Sequence, residues 1–205
     1  MKQKHFIDSN KGATILAVIG MMAYYNVWDN QTAWLYLATH GLYGILWVTK
    51  SLTFPDRSWE AKCPLWYGVV IWLGLSLYWV TPWLICSQNI EVSPAYAAAC
   101  SAIFSFGVFL HFVSDMQKHM KLSLAPGLIT GGLWSRIRNP NYLGELLIYG
   151  GFSALAMHWA PFVVLALFVG IVWIPNMLKK DKSLSRYPEF AEWKKRSWLF
   201  IPPIW

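Results

Sequence analysis

Six long apolar runs divide this sequence, and basic residues are confined to every second connection between them. The runs lie near residues 12–28, 32–54, 64–86, 93–116, 140–158 and 161–178. Each has, or nearly has, the roughly 17 to 25 residues that a helix needs to cross a bilayer. All 17 lysines and arginines lie at the N-terminus, around the end of the second run, after the fourth run or in the tail. The positive-inside rule therefore predicts an all-α integral membrane protein with about six transmembrane helices and both termini in the cytoplasm.

Charge content narrows the class of protein further. Charged residues make up 13% of the 205 residues and hydrophobic residues 56%, whereas soluble domains carry about 25% charged residues. This composition argues against a water-soluble enzyme. The net charge of +7 lies in loops and not in a stripe, so we predict the lipid bilayer, and no nucleic acid, as a partner. We expect a single membrane domain over residues 1–205, in the endoplasmic reticulum or a bacterial inner membrane.

The cysteines give no sign of a metal centre. Cys63, Cys86 and Cys100 are odd in number, lie in or beside apolar runs and lack the spacing of metal ligands. We therefore predict buried free thiols and no metal site.

Ionisable residues inside the apolar runs are candidates for function because a bilayer makes them costly. Four of them stand out: His40, His111, Asp115 and Glu145. The i, i+4, i+7 spacing of His111, Asp115 and Lys118 places these residues on one helix face that descends toward the cytoplasm. Asp115 has two interpretations, a functional contact or a structural ion pair with Lys118. Lys50 and His158 lie close enough to the interface to extend their polar ends into it.

A helix start with an adjacent pair of arginines is predicted in residues 136–145. Asn139 is a good N-cap residue, and Pro140 fits the first helical position. The free backbone N–H groups there face the cytoplasm, and Arg136 and Arg138 lie just outside. This combination predicts an anion site suited to phosphate or pyrophosphate.

Glu145 lies about one turn inside the same helix and shares a face with Asn141. An isolated carboxylate in the protein interior needs a partner or a proton. No lysine or arginine occurs within a later apolar run to serve as that partner. The remaining explanations are a shared proton, a hydrogen bond to Asn141 or to a neighbouring helix, or contact with a bound ligand.

The tail from Lys179 to Trp205 mixes basic residues with Tyr, Phe and Trp. One interpretation is an amphipathic segment that lies in the membrane interface. The other is a lid over a site that faces the cytoplasm. The sequence leaves both open.

Several spaced motifs occur in the second half of the chain, namely residues 114–118, 132–134 and 138–145, followed by Tyr187-Pro188 and Ile201-Pro202. In this order they resemble the C-terminal signature of the steroid 5-alpha-reductase family, and sterol C14/C7 reductases share a similar signature. The resemblance covers about residues 110–205. It divides the domain into N-terminal helices, 1–110, and a reductase-like cofactor-binding part, 111–205.

The resemblance implies a membrane enzyme that holds NADPH in a cavity facing the cytoplasm. Such an enzyme reduces an activated carbon–carbon double bond in a lipophilic steroid-, sterol- or isoprenoid-like small molecule. Asp115 and Asn141 match cofactor contacts of the family, Glu145 matches a glutamate close to the same cavity, and His111 stands where the family has Asn. Further cofactor-binding candidates are Lys118, Lys121, Arg136, Arg138, Tyr142 and Tyr187.

Catalytic residues for this chemistry must also stabilise the developing enolate and donate a proton. We nominate Glu145 together with Tyr43 and His40 of the second run. Tyr142 is a further candidate for the proton donor.

The chain departs from the family pattern at two positions, because the expected His and Tyr contacts fall near Met177 and Lys180. Two other functions therefore remain open. One is an S-adenosylmethionine-dependent membrane methyltransferase, although residues 180–184 lack the Glu-Glu pair of those enzymes. The other is a non-catalytic membrane subunit that kept the fold.

Overall fold

A computed structural model describes residues 1–202 and is helical. In that part of the chain no β-strand forms, and only two isolated bridges occur, Lys2–Lys62 and Ile137–Trp198. A helix forms at each of the six predicted runs, and a short seventh helix follows. The helices are α1 (Gln3–Tyr25), α2 (Gln31–Tyr36, a π-helical turn Leu37–Gly41 and Leu42–Thr53), α3 (Leu65–Ser87), α4 (Pro94–Leu124), α5 (Pro140–Ala154), α6 (Ala160–Leu184) and α7 (Phe190–Lys195).

Three helices extend well beyond the predicted apolar runs. Helix α1 begins nine residues earlier, at Gln3, while α4 continues to Leu124 and α6 to Leu184. Hydropathy marks only the apolar part of a helix, whereas charged residues also have high helix propensity. In α1 the added turns are held by tertiary contacts, because Asp8 accepts hydrogen bonds from the Trp47 indole at 3.1 Å and the Ser51 hydroxyl at 2.7 Å.

Three helices, α3, α4 and α6, are long and apolar enough to cross a membrane. Large apolar side chains face outward along them, for example Val70 and Leu73 of α3 and Phe106 and Phe109 of α4. Helix α5 has only 15 residues, and α1 carries charged residues in its first half. The structure thus agrees with a helical membrane protein.

Helices α4 and α5 pack closely because glycines lie at their contact. A methyl group on Gly107 would lie 2.7 Å from the Gly144 carbonyl oxygen, and one on Gly151 would lie 2.9 Å from the Phe104 nitrogen. A methyl group on Gly144 would overlap the backbone of His111. Small residues at such contacts allow membrane helices to approach closely. This approach brings His111 of α4 beside the first turns of α5.

The start of α5 was predicted correctly, but the predicted capping by the Asn139 side chain is wrong. Pro140 occupies the first turn, and the Asn139 side chain makes no capping hydrogen bond. Its amide instead donates to the Leu199 carbonyl at 2.9 Å and accepts from the Lys180 ammonium at 2.6 Å. Asn139 therefore joins α5 to α6 and to the chain after α7.

Candidate functional site

A tyrosine and a carboxylate meet at the centre of the helix bundle. The Tyr43 hydroxyl of α2 donates a hydrogen bond to Glu145 Oε1 of α5 at 3.2 Å. Tyr43 is fully buried, and Glu145 is partly buried. Among residues 1–202, Glu145 forms no ion pair. Two of the three predicted catalytic residues are therefore in direct contact.

The third, His40, lies one turn before Tyr43 on α2. Its Nδ1 is hydrogen-bonded to the Tyr36 hydroxyl at 2.6 Å, and its ring stacks on Phe152 with centroids 4.2 Å apart. The His40 and Tyr149 ring centroids are 6.5 Å apart. His40 thus borders the Tyr43–Glu145 pair, and its contacts tie it to the aromatic packing of the bundle.

Lys11, one of the basic residues that precede the first apolar run at the N-terminus, lies beside this pair. Lys11 is 3% exposed, and its ammonium donates a hydrogen bond to the Tyr149 hydroxyl. The missed signal was the spacing of Asn10, Lys11 and Thr14, which places three polar side chains on one side of α1. All three are buried.

Asp115 pairs with Lys50 of α2 and not with Lys118. The Lys50 ammonium contacts Asp115 Oδ2, and both side chains are 5% exposed. The structure therefore contradicts the interpretation of Asp115 as an ion-pair partner of Lys118, and the predicted extension of Lys50 into the interface is wrong. The reason is geometric, because Lys118 lies about one turn nearer the end of α4 and reaches Asp56 at 2.9 Å.

Asp56 lies in the connection between α2 and α3, where it caps a 3₁₀ turn and accepts from the Ser58 backbone N–H at 3.0 Å. Burial alone would raise the pKa of this carboxyl. The Lys118 ammonium and the hydrogen bonds from Ser58 outweigh burial and hold the pKa of Asp56 well below its usual range. Lys118 is therefore partly neutralised by a carboxylate at the position predicted for a phosphate contact.

His111, Asp115 and Asn141 form a group that we call the α4–α5 polar cluster. His111 Nδ1 lies 3.1 Å from the Asn141 carbonyl oxygen, and His111 Nε2 lies 3.9 Å from Asp115 Oδ2. Three buried polar atoms of the cluster have no hydrogen-bond partner among residues 1–202, namely His111 Nε2, Asp115 Oδ1 and Asn141 Oδ1. Buried polar atoms are normally satisfied. The cluster is thus the part of the protein interior best suited to receive a polar ligand.

The predicted anion site at Arg138 is wrong. The Arg138 guanidinium is buried, its Nε lies 3.0 Å from Asp181 Oδ2, and it also donates to the Ser197 carbonyl. Its position just before a helix start indicated that Arg138 would be exposed, but Asp181 and Ser197, from later in the chain, cover its guanidinium. Arg136 remains exposed, and its carbonyl accepts from the Trp198 N–H at 2.8 Å.

The tail packs on the protein as a short strap. Helix α7 has six residues, and its Phe190 and Trp193 are buried against Trp134 in a small separate core. The Trp193 indole donates to the Trp134 carbonyl at 3.0 Å. The aromatic residues of α7 are thus covered by the chain itself. This favours the interpretation of the tail as a lid and not as an amphipathic segment in the membrane interface. Residues 203–205 of the predicted tail lie outside the described residues.

The two remaining tyrosine candidates lie apart from each other. The Tyr142 ring packs near Trp173 with centroids 5.6 Å apart, close to the start of α5. The Tyr187 hydroxyl accepts from the exposed Arg186 guanidinium at 3.3 Å. Tyr187 therefore contacts an exposed residue of the tail and not the α4–α5 polar cluster. A further candidate, Lys121, is exposed and lies one turn beyond Lys118 on α4.

An apolar groove of about 560 Å³ borders the polar interior on the outer side of α4. It is lined by Phe54, Phe112, Val113, Met116, Gln117, Met120, Lys121 and Leu124. Phe112 forms part of its wall, and the Phe112 ring centroid lies 6.3 Å from that of Tyr43. Phe112 thus borders both the groove and the Tyr43 ring.

No metal-ligand cluster occurs within residues 1–202. The three cysteines are buried and free, so the prediction for the thiols is confirmed.

Comparison with known proteins gives a family and one similar curated protein. Over 78 residues, or 38% of this chain, the sequence is 35% identical to the cobalt-zinc-cadmium resistance protein CzcN of Cupriavidus metallidurans. The match spans 36% of the length of that protein. No solved structure matches the chain. A family described as proteins of unknown function, DUF1295, matches residues 9–197. The chain therefore belongs to the DUF1295 family.

Proposed function

We propose that this protein is a membrane-embedded reductase that uses NADPH to reduce a carbon–carbon double bond conjugated to a carbonyl group. The substrate is a lipophilic molecule of steroid, sterol or isoprenoid type. The observation that carries the proposal is the partly buried hydrogen bond of Tyr43 to Glu145 beside the α4–α5 polar cluster. The spaced motifs of residues 110–205, which resemble the steroid 5-alpha-reductase signature, support the same assignment.

NADPH fits the α4–α5 polar cluster at its nicotinamide end. A carboxamide has an NH₂ group and a carbonyl oxygen, and the cluster offers the unpartnered acceptors Asp115 Oδ1 and Asn141 Oδ1 and the unpartnered His111 Nε2. For the phosphates, Arg136 and Lys121 are exposed, whereas Arg138 is held by Asp181. The residues that would hold NADPH are therefore His111, Asp115, Asn141, Arg136 and Lys121.

The chemistry then divides between the cofactor and the side chains. The hydride for the β-carbon of the conjugated double bond would come from NADPH when it is bound. With a substrate in place, the Tyr43 hydroxyl turns its hydrogen from Glu145 to the substrate carbonyl oxygen and gives it that proton as negative charge develops there. Glu145 holds the Tyr43 hydroxyl in place and returns a proton from solvent. The resulting enol becomes the saturated ketone when its α-carbon takes up a proton from solvent and its oxygen releases one to solvent.

The apolar groove beside Phe112 supports a lipophilic substrate. Its lining is almost entirely apolar, and in a bilayer it would face acyl chains. A substrate partitioned into the membrane would therefore meet the Tyr43–Glu145 pair without crossing water.

Six membrane spans with both termini cytoplasmic belong to the same proposal. This topology places Arg136 and Lys121 on the cytoplasmic side, where NADPH is available, in the endoplasmic reticulum or a bacterial inner membrane. Introduced cysteines at residues 2 and 195 should both react with an impermeant maleimide added to the cytoplasmic side. Labelling of the two positions from opposite sides would contradict the topology.

The decisive experiment on function measures thermal unfolding of the detergent-solubilised protein with NADPH, NADH or S-adenosylmethionine. We expect NADPH to raise the melting temperature, since a ligand that binds only the folded state stabilises it. Asn141→Leu should lose this response, while the exposed Gln88→Leu should keep it. A response to S-adenosylmethionine alone would favour the methyltransferase, and no response to any of the three would favour a non-catalytic subunit.

Turnover is measured next, as NADPH oxidation with a panel of lipophilic conjugated enones in nanodiscs. Formation of the saturated ketone is expected for at least one of them. A stabilising response to NADPH without saturated product from any enone would limit the protein to cofactor binding.

A further inference from the structure

Lys11 is a buried charged group that the mechanism above does not use. Its ammonium lies 4.4 Å from the ring centroid of Tyr43, 4.8 Å from that of Trp47 and 4.8 Å from that of Tyr149. It donates a hydrogen bond to the Tyr149 hydroxyl. Three aromatic rings thus surround one cation, and one of them is the proposed proton donor.

The packing of α1 holds Lys11 in this position. The Asn10 amide donates to the Trp72 carbonyl at 3.1 Å and to the Ser76 hydroxyl at 2.9 Å. The Thr14 hydroxyl accepts from the Trp79 indole at 3.2 Å. These contacts with α3 fix the rotation of α1 on both sides of Lys11.

The side of α1 that faces α2 is equally constrained. A methyl group on Gly44 would overlap the Lys11 carbonyl oxygen. Because Gly44 has no side chain, the two backbones approach closely one residue after Tyr43. The lysine side chain therefore enters the bundle next to the Tyr43 ring and does not extend to the interface.

A buried cation in this position is expensive unless something requires it. Hydrogen bonding to Tyr149 and contact with the faces of Tyr43 and Trp47 offset part of the cost. Among residues 1–202 no carboxylate lies within ion-pair distance of Lys11. Glu145 accepts a hydrogen bond at 3.2 Å from the hydroxyl of Tyr43, whose ring contacts the Lys11 ammonium.

We infer that Lys11 is a positioning residue that assists proton donation by Tyr43. This inference rests on the proposed reductase function. When the Tyr43 O–H bond breaks and the proton bonds to the substrate oxygen, negative charge is left on the phenol oxygen. The Lys11 ammonium stabilises that charge across the ring and through the Tyr149 hydroxyl until Glu145 returns a proton from solvent.

A purely structural lysine would neutralise Glu145 and contribute nothing to the reaction. The two roles differ in what Lys11→Met changes. Loss of phenolate stabilisation lowers kcat by roughly 10²-fold and leaves the KM for NADPH nearly unchanged. Loss of mere neutralisation lowers the melting temperature, and Lys11→Met combined with Glu145→Gln restores it.

The experiment compares Lys11→Met, Lys11→Arg and Tyr149→Phe in nanodiscs, with Lys4→Met as the control for a charge lost from the same helix. We expect a lower kcat and a larger solvent deuterium isotope effect on kcat in Lys11→Met, because proton donation becomes slower. Partial rescue is expected in Lys11→Arg, and wild-type behaviour in Lys4→Met. Tyr149→Phe keeps the ring and removes the anchor of the ammonium, so it should show a smaller loss of the same kind.

The outcomes separate this inference from the proposed function. A wild-type protein without NADPH turnover would overturn the function and this inference with it. Wild-type turnover together with an unchanged kcat and isotope effect in Lys11→Met would overturn the inference alone. If Lys11→Met does not fold, Tyr149→Phe decides, and unchanged kinetics in that variant would overturn the inference.

Discussion

The Tyr43 hydroxyl and the Glu145 carboxylate lie 3.2 Å apart, although 102 residues separate them in the chain. Tyr43 reaches this position from α2, where a π-helical turn precedes it at Leu37–Gly41. Such turns change the direction of the side chains that follow and are frequent at functional sites. Glu145 arrives from α5, directly after the glycine that touches α4. The π-helical turn of α2 and the close contact of α5 with α4 thus position the two partners of this hydrogen bond.

Removing either partner of this hydrogen bond should lower turnover without unfolding the protein. Glu145→Gln preserves shape and removes the charge, and Tyr43→Phe removes only the hydroxyl. We expect each to reduce kcat by about 10² or more, and the double variant to be little worse than either single one, since both act in one step. NADPH oxidation and melting temperature measure the two effects. Normal turnover in Glu145→Gln would contradict the catalytic role, and equal losses of folded protein and activity would favour a structural one.

The buried ion pair of Lys50 and Asp115 gives a prediction about stability. Lys50→Met leaves an unpaired carboxylate in the protein interior, so we expect a loss of about 3 to 5 kcal/mol. The double variant Lys50→Met, Asp115→Leu should recover much of it, because an apolar pair of similar volume has no charge to desolvate. Unfolding in mixed detergent micelles measures both. A single variant as stable as the wild type would mean that water reaches Asp115.

Packing of α4 on α5 depends on Gly144. We expect Gly144→Ala to lower the free energy of unfolding by about 1 to 3 kcal/mol or more. The new methyl group meets the His111 backbone, and neither helix can yield easily. Gly150→Ala is the matched control in the same helix, because no atom lies within 4 Å of its added methyl group. Thermal unfolding in detergent compares the two variants. Equal stability would show that the helices can separate at this point.

Local features of the fold were predictable from the sequence, and the partners of the buried charges were not. Hydropathy located all six main helices, and Asn139-Pro140 marked the start of α5. Hydropathy along one run says nothing about which neighbouring helix supplies a partner. The partner of Asp115 was therefore sought on its own helix, at Lys118, whereas α2 supplies it as Lys50.

The candidate site divides in the same way. Glu145 and Tyr43 were identified because each is a polar group inside an apolar run or a family motif. Lys11 was placed outside the first membrane helix because it precedes the apolar run that begins near residue 12. Helix α1 begins at Gln3, so Lys11 lies within it. Arg138 was assigned to an anion site because Asp181, 43 residues later, gives no sequence signal of its approach.

Acid should weaken the contact that joins the 3₁₀ turn after α2 to α4. The Lys118 ammonium and the Ser58 hydrogen bonds hold the pKa of Asp56 well below its usual range. In the unfolded chain an aspartate has a pKa of about 3.9. The Asp56 carboxylate therefore stabilises the folded state above that pH, and this contribution is lost as the pH falls toward the lower pKa of the folded state. Asp56→Asn should therefore lower the melting temperature at pH 7 and have a smaller effect near pH 3, where part of the contribution is already lost. An equal effect at both pH values would contradict the ionic role.

The strap formed by α7 and the residues after it should depend on Arg138 and Asp181. Arg138, just before α5, contacts α6 through Asp181 Oδ2 at 3.0 Å and the strap through the Ser197 carbonyl. Arg138→Glu would place two carboxylates in a buried site, so we expect the tail to detach and become sensitive to trypsin at its lysines. The charge exchange Arg138→Asp, Asp181→Arg should restore part of the resistance, since it returns one positive and one negative group to the pair. Arg186→Glu is the control for a charge change at an exposed position of the tail. Sensitivity equal to that of the wild type in Arg138→Glu would show that the aromatic contacts of Trp193 and Phe190 hold the strap without this ion pair.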